Sequence, residues 1–296
     1  MRRAGIFRHD GPFWRALANF GATHAPSFVL RYSPPAWAFA FALALPEVRQ
    51  RVRRNLRAIL GPRPYGQELL DVFRTFSNFA SCLTEALAVA GKRAPKIDCS
   101  VSGAEYLREA IARGRGVILV TAHTGGWETA GPLLKSEFDL DVMIAMQSEP
   151  DAEARQIQDR ARERSGVKVV HVGNEPLAIL PLFMHVRRGG ALGVQIDRSP
   201  DAKRSLPVQL FGSCSRVPSG PFLLAQATGA PILPVFTRRV GFFRYEIRLC
   251  PLLDIAKGAP PKALVAAAES AAQEMESFIR AHPTHWFDFR GAKIST

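Results

Sequence analysis

Acidic residues are in short supply. Asp and Glu together number 26 against 39 Lys plus Arg in a chain of 296 residues, leaving a formal charge of +13. That balance favours polyanionic partners, whether nucleic acid, anionic lipid or an acidic carrier protein. Nucleic acid is set aside because no helix-turn-helix, aromatic RNA-binding strand or zinc finger is found. Cysteine is also scarce: Cys82, Cys99, Cys214 and Cys250 are widely separated, which excludes a compact disulfide framework or a cysteine metal site and points to a reducing compartment. Long apolar runs are missing too. The stretch Ala36–Leu45 is apolar for ten residues, where a spanning helix needs roughly 20. The start, Met1-Arg2-Arg3, is not followed by an apolar core and a small-residue cleavage site, so no secretory signal is expected. There is no internal repeat, low-complexity tract or long polar linker.

What is present is ordinary globular material, 47% hydrophobic and 22% charged. Arginines gather at Arg49–Arg57 and Arg155–Arg164, the first directly after the apolar stretch 36–45. This adjacency predicts a helix lying in or dipping into one leaflet, with basic side chains touching headgroups. A buried, alanine-rich core helix is the alternative. Apolar positions at helical spacing from Leu69 to Leu87 predict a helix over 66–91, with further helices over 105–113 and 261–281. Short runs apolar on both faces, at 117–122, 142–146, 167–172, 191–196, 232–236 and 245–249, alternate with segments of helical length. The expected fold is α/β, a mostly parallel central sheet with helices on both faces. Residues 1–65 are expected to form a helical, membrane-associating extension and 66–296 the single catalytic domain.

The strand at 117–122 runs directly into His123-Thr-Gly-Gly-Trp-Glu128. Sites in open α/β sheets form at the carboxyl ends of strands. A His and a Glu five apart would stand about 140° apart on a regular helix, but Gly125 and Gly126 permit a sharp turn that brings the Glu128 carboxylate back to the imidazole. Such a pair serves general-base chemistry: the imidazole takes a proton from a hydroxyl, while the carboxylate fixes its tautomer. Backbone amides of the turn, or an arginine, are candidates for stabilising the developing oxyanion. A histidine that merely caps the next helix is the plain alternative. Zinc is disfavoured because the i, i+4 ligand spacing is absent and His171 and His185 stand alone, so neither metal nor cofactor is called for. A Ser-His-Asp hydrolase lacks its Gly-x-Ser-x-Gly elbow.

Four ordered blocks resemble the bacterial lipid A biosynthesis (late) acyltransferase family, which includes phosphatidylinositol mannoside acyltransferases. They are His123 and Glu128 after Gly116–Val120; Arg160–Gly166 with Gly193–Arg198; the run Phe211–Pro234; and His282–Arg290 with its Pro-x-x-Trp element. The resemblance spans roughly residues 20 to 290. It implies transfer of a fatty acyl chain from acyl carrier protein or coenzyme A to a hydroxyl of a membrane lipid or glycolipid, at the cytoplasmic face of the inner membrane, by a peripheral or monotopic protein. It carries His123 over as base and Glu128 as its partner. Arg164 and Asp197 carry over as groups that bind the acceptor or hold the site together. Arg198 is a neighbouring cation suited to phosphate, its alternative a surface arginine. Ser219 and Gly220 are placed to cradle polar substrate groups at a helix start, with N-capping by Ser219 as the plain alternative. The family's Arg-Pro pair after the second strand is replaced by Met146-Gln147, and Phe287 and Asp288 stand where Trp and His are frequent, which leaves the acceptor open. A non-catalytic lipid-binding or carrier-docking protein of the same fold is the alternative function.

Overall fold

Proline sets the rhythm of the N-terminal helices. The computed structural model describes residues 12–89, 96–127, 138–147, 168–172, 179–199 and 202–289. Helices α1 (Pro12–His24), α2 (Ser27–Tyr32), α3 (Pro34–Ala44) and α4 (Pro46–Leu60) follow in close succession. Pro34 and Pro46 sit at helix starts, where the missing N–H costs nothing and φ is already helical. Gly61, at φ 75°, ends α4 in a conformation that side chains resist.

The apolar stretch 36–45 forms most of α3, which is buried along one side and exposed elsewhere. Pro34, Ala38 and Ala42, spaced four apart, are buried, and the two alanines join Val52 and Leu56 of α4 and Val72 and Phe76 of the 25-residue α5 (Tyr65–Val89) in one cluster. Small side chains let α3 approach α5 closely. The bulky Trp37, Phe39 and Leu43 are left exposed. The arginines of α4 flank its buried stripe Val52, Leu56 and Ile59, and Arg53 and Arg57 both donate to the buried Glu68 carboxylate of α5. Among the described residues, no helix is long and apolar enough to cross a membrane.

Beyond α5 the chain alternates: β1 (Asp98–Ser102), α6 (Ala104–Ala112), β2 (Val117–Thr121), β3 (Val142–Gln147), β4 (Lys168–Val172), α7 (Leu180–Arg187) and β5 (Ala191–Gln195). The hairpin β6 (Ser205–Leu210) and β7 (Ser213–Pro218) follows, then α8 (Gly220–Thr228), β8 (Ile232–Gly241), β9 (Arg244–Leu249), α9 (Pro261–Ala281) and a 3₁₀ turn at Pro283–His285. Seven strands form one sheet in the order β1-β9-β8-β2-β5-β3-β4, parallel at every pairing except β8 with β9. The unbroken apolar run of β2 has a direct reason. Ile118 and Val120 face the core shared with α7, α8 and α9, while Val117 and Leu119 face the core shared with Leu107 and Ala110 of α6.

Six strands lie within a residue or so of their expected positions, although β8 continues to Gly241. Three were not expected. β1 falls in a segment whose Asp98 reads as loop, and its alternately exposed pattern carries no apolar run. β6 and β7 contain Pro207 and Pro218, tolerated in a two-stranded ribbon.

Candidate active site

The carboxyl end of β2 delivers His123 into a turn held from two sides. The Gly125 N–H donates to the His285 carbonyl at 2.9 Å and the Phe287 N–H to the His123 carbonyl at 2.8 Å, so residues 285–287 bridge to Thr124 like a short antiparallel strand. From the other side the Thr124 hydroxyl, wholly buried, accepts from the Thr237 N–H of β8 at 3.3 Å. Gly125 is needed for space: a Cβ there would lie 2.9 Å from Cδ2 of His285. His285 is itself fixed through Nε2, 3.0 Å from the Arg239 carbonyl. Burial pushes its pKa down to about 4, so the ring is neutral and donates that bond. Arg239 in turn donates to Glu85 of α5 at 2.8 Å, which also accepts from the Tyr245 hydroxyl.

The neighbouring strand supplies the carboxylate. The Ile196 N–H donates to the Thr121 carbonyl at 2.8 Å, so the ends of β5 and β2 stay level and Asp197 faces His123. Asp197 Oδ1 lies 2.8 Å from His123 Nδ1; its side chain is fully buried, while the His123 side chain is 22% exposed. Oδ2 accepts from the His123 main-chain N–H at 3.2 Å and from the Trp286 indole N–H at 2.9 Å. Burial alone pushes the Asp197 carboxyl up, but the His123 ring, Arg198 and the Trp286 N–H outweigh it and bring it down to about 2. An ionised carboxylate only accepts, so Nδ1 carries the ring proton. In the neutral ring this tautomer leaves the lone pair on Nε2.

Arg198, next along the chain, donates to the Phe287 carbonyl at 2.9 Å and pairs with the buried Asp288 at 3.6 Å. Asn55 of α4 donates to the Asp288 carbonyl at 2.7 Å, tying the same C-terminal segment to the helical layer. Arg198 is thus built into the wall of the site as well as being a cation beside it. Ser219 immediately precedes α8, and its hydroxyl makes no capping bond there. Space is open at Gly220, where an added Cβ would meet nothing within 4 Å. Glu128 and Arg164, like the basic segment 155–164, lie outside the described residues.

Asp197, expected to bind the acceptor or hold the site together, is the carboxylate on the His123 ring among the described residues. Trp286 was quoted above only as part of a Pro-x-x-Trp element, with no role. Its sole signal in the sequence is its place in that element, because 89 positions separate it from Asp197.

Known proteins resemble this chain over most of its length. A phosphatidylinositol mannoside acyltransferase of Mycobacterium tuberculosis is 28% identical, over 92% of this chain and 85% of its own length. The protein of the same name from Mycolicibacterium smegmatis is 26% identical over 80% of this chain and 77% of its own. A lipid A biosynthesis acyltransferase of Haemophilus influenzae is 24% identical over 62% of this chain and 55% of its own. A model of the bacterial lipid A biosynthesis acyltransferase family matches residues 13–290, and this chain belongs to that family.

Proposed function

We propose that the chain moves a fatty acyl group from an acyl thioester to a hydroxyl of a membrane lipid or glycolipid, with His123 Nε2 as general base. The observation that carries the reading is the 2.8 Å contact of His123 Nδ1 with the buried Asp197 carboxylate at a strand's carboxyl end. Nε2 takes the proton of the acceptor hydroxyl as its oxygen attacks the thioester carbonyl. The tetrahedral intermediate collapses with cleavage of the C–S bond, and the imidazolium returns the proton to the departing thiolate. Asp197 stabilises the imidazolium in between. The orienting role expected of Glu128 is assigned here to Asp197, and Glu128 is kept as a second candidate carboxylate.

The donor is acyl carrier protein or coenzyme A, which present the same kind of thiol. The relatives' names point to a phosphatidylinositol mannoside or lipid A type of acceptor. Residues 1–65 form the membrane-associating segment in this reading, supported by the exposed Phe20, Phe28, Tyr32, Trp37, Phe39 and Leu43 of α1–α3 and by the +13 charge. The protein then works at the cytoplasmic face of the inner membrane. The test supplies acyl carrier protein and coenzyme A thioesters with a lipid extract and follows products by mass spectrometry. Wild-type protein is expected to add one acyl mass to a lipid, and His123→Ala to transfer about 10²- to 10⁴-fold more slowly. Undiminished transfer by His123→Ala removes the mechanism; stoichiometric lipid binding without turnover by the wild type returns the non-catalytic alternative.

A further inference from the structure

We infer that Trp286 is a positioning residue for acyl transfer, acting through Asp197. The inference rests on His123 as base and adds to that reading the group that ties the His–Asp pair to the rest of the molecule. Three N–H groups of the described residues reach the Asp197 carboxylate: the His123 ring at 2.8 Å, the His123 main chain at 3.2 Å and the Trp286 indole at 2.9 Å. Two of these belong to His123 itself and move with it. Trp286 alone comes from another part of the chain. An indole offers one donor and no acceptor, so its bond to Oδ2 has a single sense. Pinning Oδ2 sets the plane of the carboxylate, which directs Oδ1 at Nδ1, and the direction of Nδ1 fixes where the Nε2 lone pair points.

The indole is in turn immobilised. Trp286 is 5% exposed, and its neighbours along the chain hold the His123 turn through the Gly125–His285 and His123–Phe287 main-chain bonds. The Phe211 ring lies 5.5 Å from the indole, and the Arg280 guanidinium 5.5 Å from the Phe211 ring. Phe211 holds this place at φ 53°, a conformation that a bulky side chain resists and that persists only where the surroundings impose it. Gly212 beside it, at φ 76°, completes the two-residue turn between β6 and β7. A tryptophan that only fills the core would also satisfy its N–H, so the test must read the chemistry.

Trp286→Phe keeps most of the ring and deletes the donor. Its transfer rates and pH profile are compared with those of wild type, Asp197→Asn and the double variant. The expected result is a kcat lower by about 10- to 100-fold, the scale of one hydrogen bond to a charged group, with KM for both substrates unmoved. The acid limb of the profile moves to higher pH, because a carboxylate with one donor fewer holds the imidazolium more tightly. In the Asp197→Asn background the same substitution is expected to cost almost nothing, since its effect runs through that carboxylate. Wild-type kcat with an unmoved limb overturns the inference, and so does a full loss added to that of Asp197→Asn. Should Trp286→Phe fail to fold, benzothienylalanine at 286 removes the N–H and keeps the bicyclic shape, with the same outcomes expected. His123→Ala runs alongside: if it still transfers, the base assignment falls, and if it is inactive while Trp286→Phe behaves as wild type, only the role of Trp286 falls.

Discussion

Asparagine at position 197 would keep the size of aspartate and lose its charge, and the donors around it dictate how it sits. Oδ2 faces two N–H groups, from the His123 main chain and from Trp286. The amide oxygen must turn towards them, which leaves the amide NH₂ facing Nδ1. Nδ1 then gives up its proton to accept that bond, and the ring proton moves to Nε2, where the base is required. Asp197→Asn is therefore expected to fold and melt like wild type yet transfer on the order of 10³- to 10⁴-fold more slowly, the scale that a wrong histidine tautomer costs a Ser-His-Asp triad. Single-turnover transfer beside a thermal melt checks it. Glu128→Gln in the same assay divides the orienting role: a loss as large as that of Asp197→Asn would return that role to Glu128.

At the same scale, His123 was legible because its clues are local: an apolar strand, a histidine, two glycines. Its partners were not. Asp197 stands 74 positions away and Trp286 a further 89, and no periodicity spans such distances. The order of the family blocks brought both residues forward without saying that they touch. Ser219 illustrates the reverse case, a residue whose local pattern suggests capping while the structure makes no such bond.

Among the elements, the turn after β2 and the segment 285–287 are matched in shape. A methyl on Gly125 would come within 2.9 Å of Cδ2 of His285, and Cys82 Sγ would lie 3.5 Å off on ordinary terms. The conflict thus comes from one ring. That ring is half-buried and bonded to the Arg239 carbonyl, so it cannot swing aside cheaply. Gly125→Ala is expected to destabilise by about 1–3 kcal/mol, the usual cost of overpacking, and to slow transfer by shifting His123 against Asp197. Adding His285→Ala makes room for the methyl. The double variant should recover transfer relative to Gly125→Ala, although it still lacks the bond to Arg239. Thermal melts and transfer rates on the three proteins decide it; losses that simply add would mean that the clash is relieved elsewhere. Elements were legible where burial is two-sided, as in β2, and illegible where pairing alone defines them, as in β1, β6 and β7. An edge strand beside β9 and a two-stranded ribbon on α9 need few apolar residues, so they left no run to read.

For the molecule as a whole, the question is how a chain with no described helix able to span a bilayer meets a lipid acceptor. The membrane-associating role proposed for residues 1–65 rests on a division of labour in the helical layer. In α3 the alanines at 38 and 42 pack on α5, so the layer is anchored to the domain, and Trp37, Phe39 and Leu43 are each more than half exposed. Phe20, Phe28 and Tyr32 of α1 and α2 are exposed as well, and the arginines of α4 follow α3 directly along the chain. Apolar side chains with basic residues close by suit an interfacial mode, rings among acyl chains and cations at headgroups. Each half-exposed side chain is worth about 1 kcal/mol on burial, so replacing Trp37, Phe39 and Leu43 with serine gives up about 3 kcal/mol, or roughly a hundredfold in partitioning. The triple variant is expected to stay in the supernatant when sedimented with vesicles of phosphatidylglycerol and phosphatidylethanolamine, where wild type pellets. It should still acylate acceptor dispersed in detergent, because none of the three residues touches His123, Asp197 or Trp286. High salt should weaken wild-type binding only in part, since screening reaches the arginines and leaves the apolar term. A triple variant that pellets like wild type would place the lipid-facing surface elsewhere, while one that binds poorly and also fails in detergent would mean that α3 supports the site through α5 and the C-terminal segment.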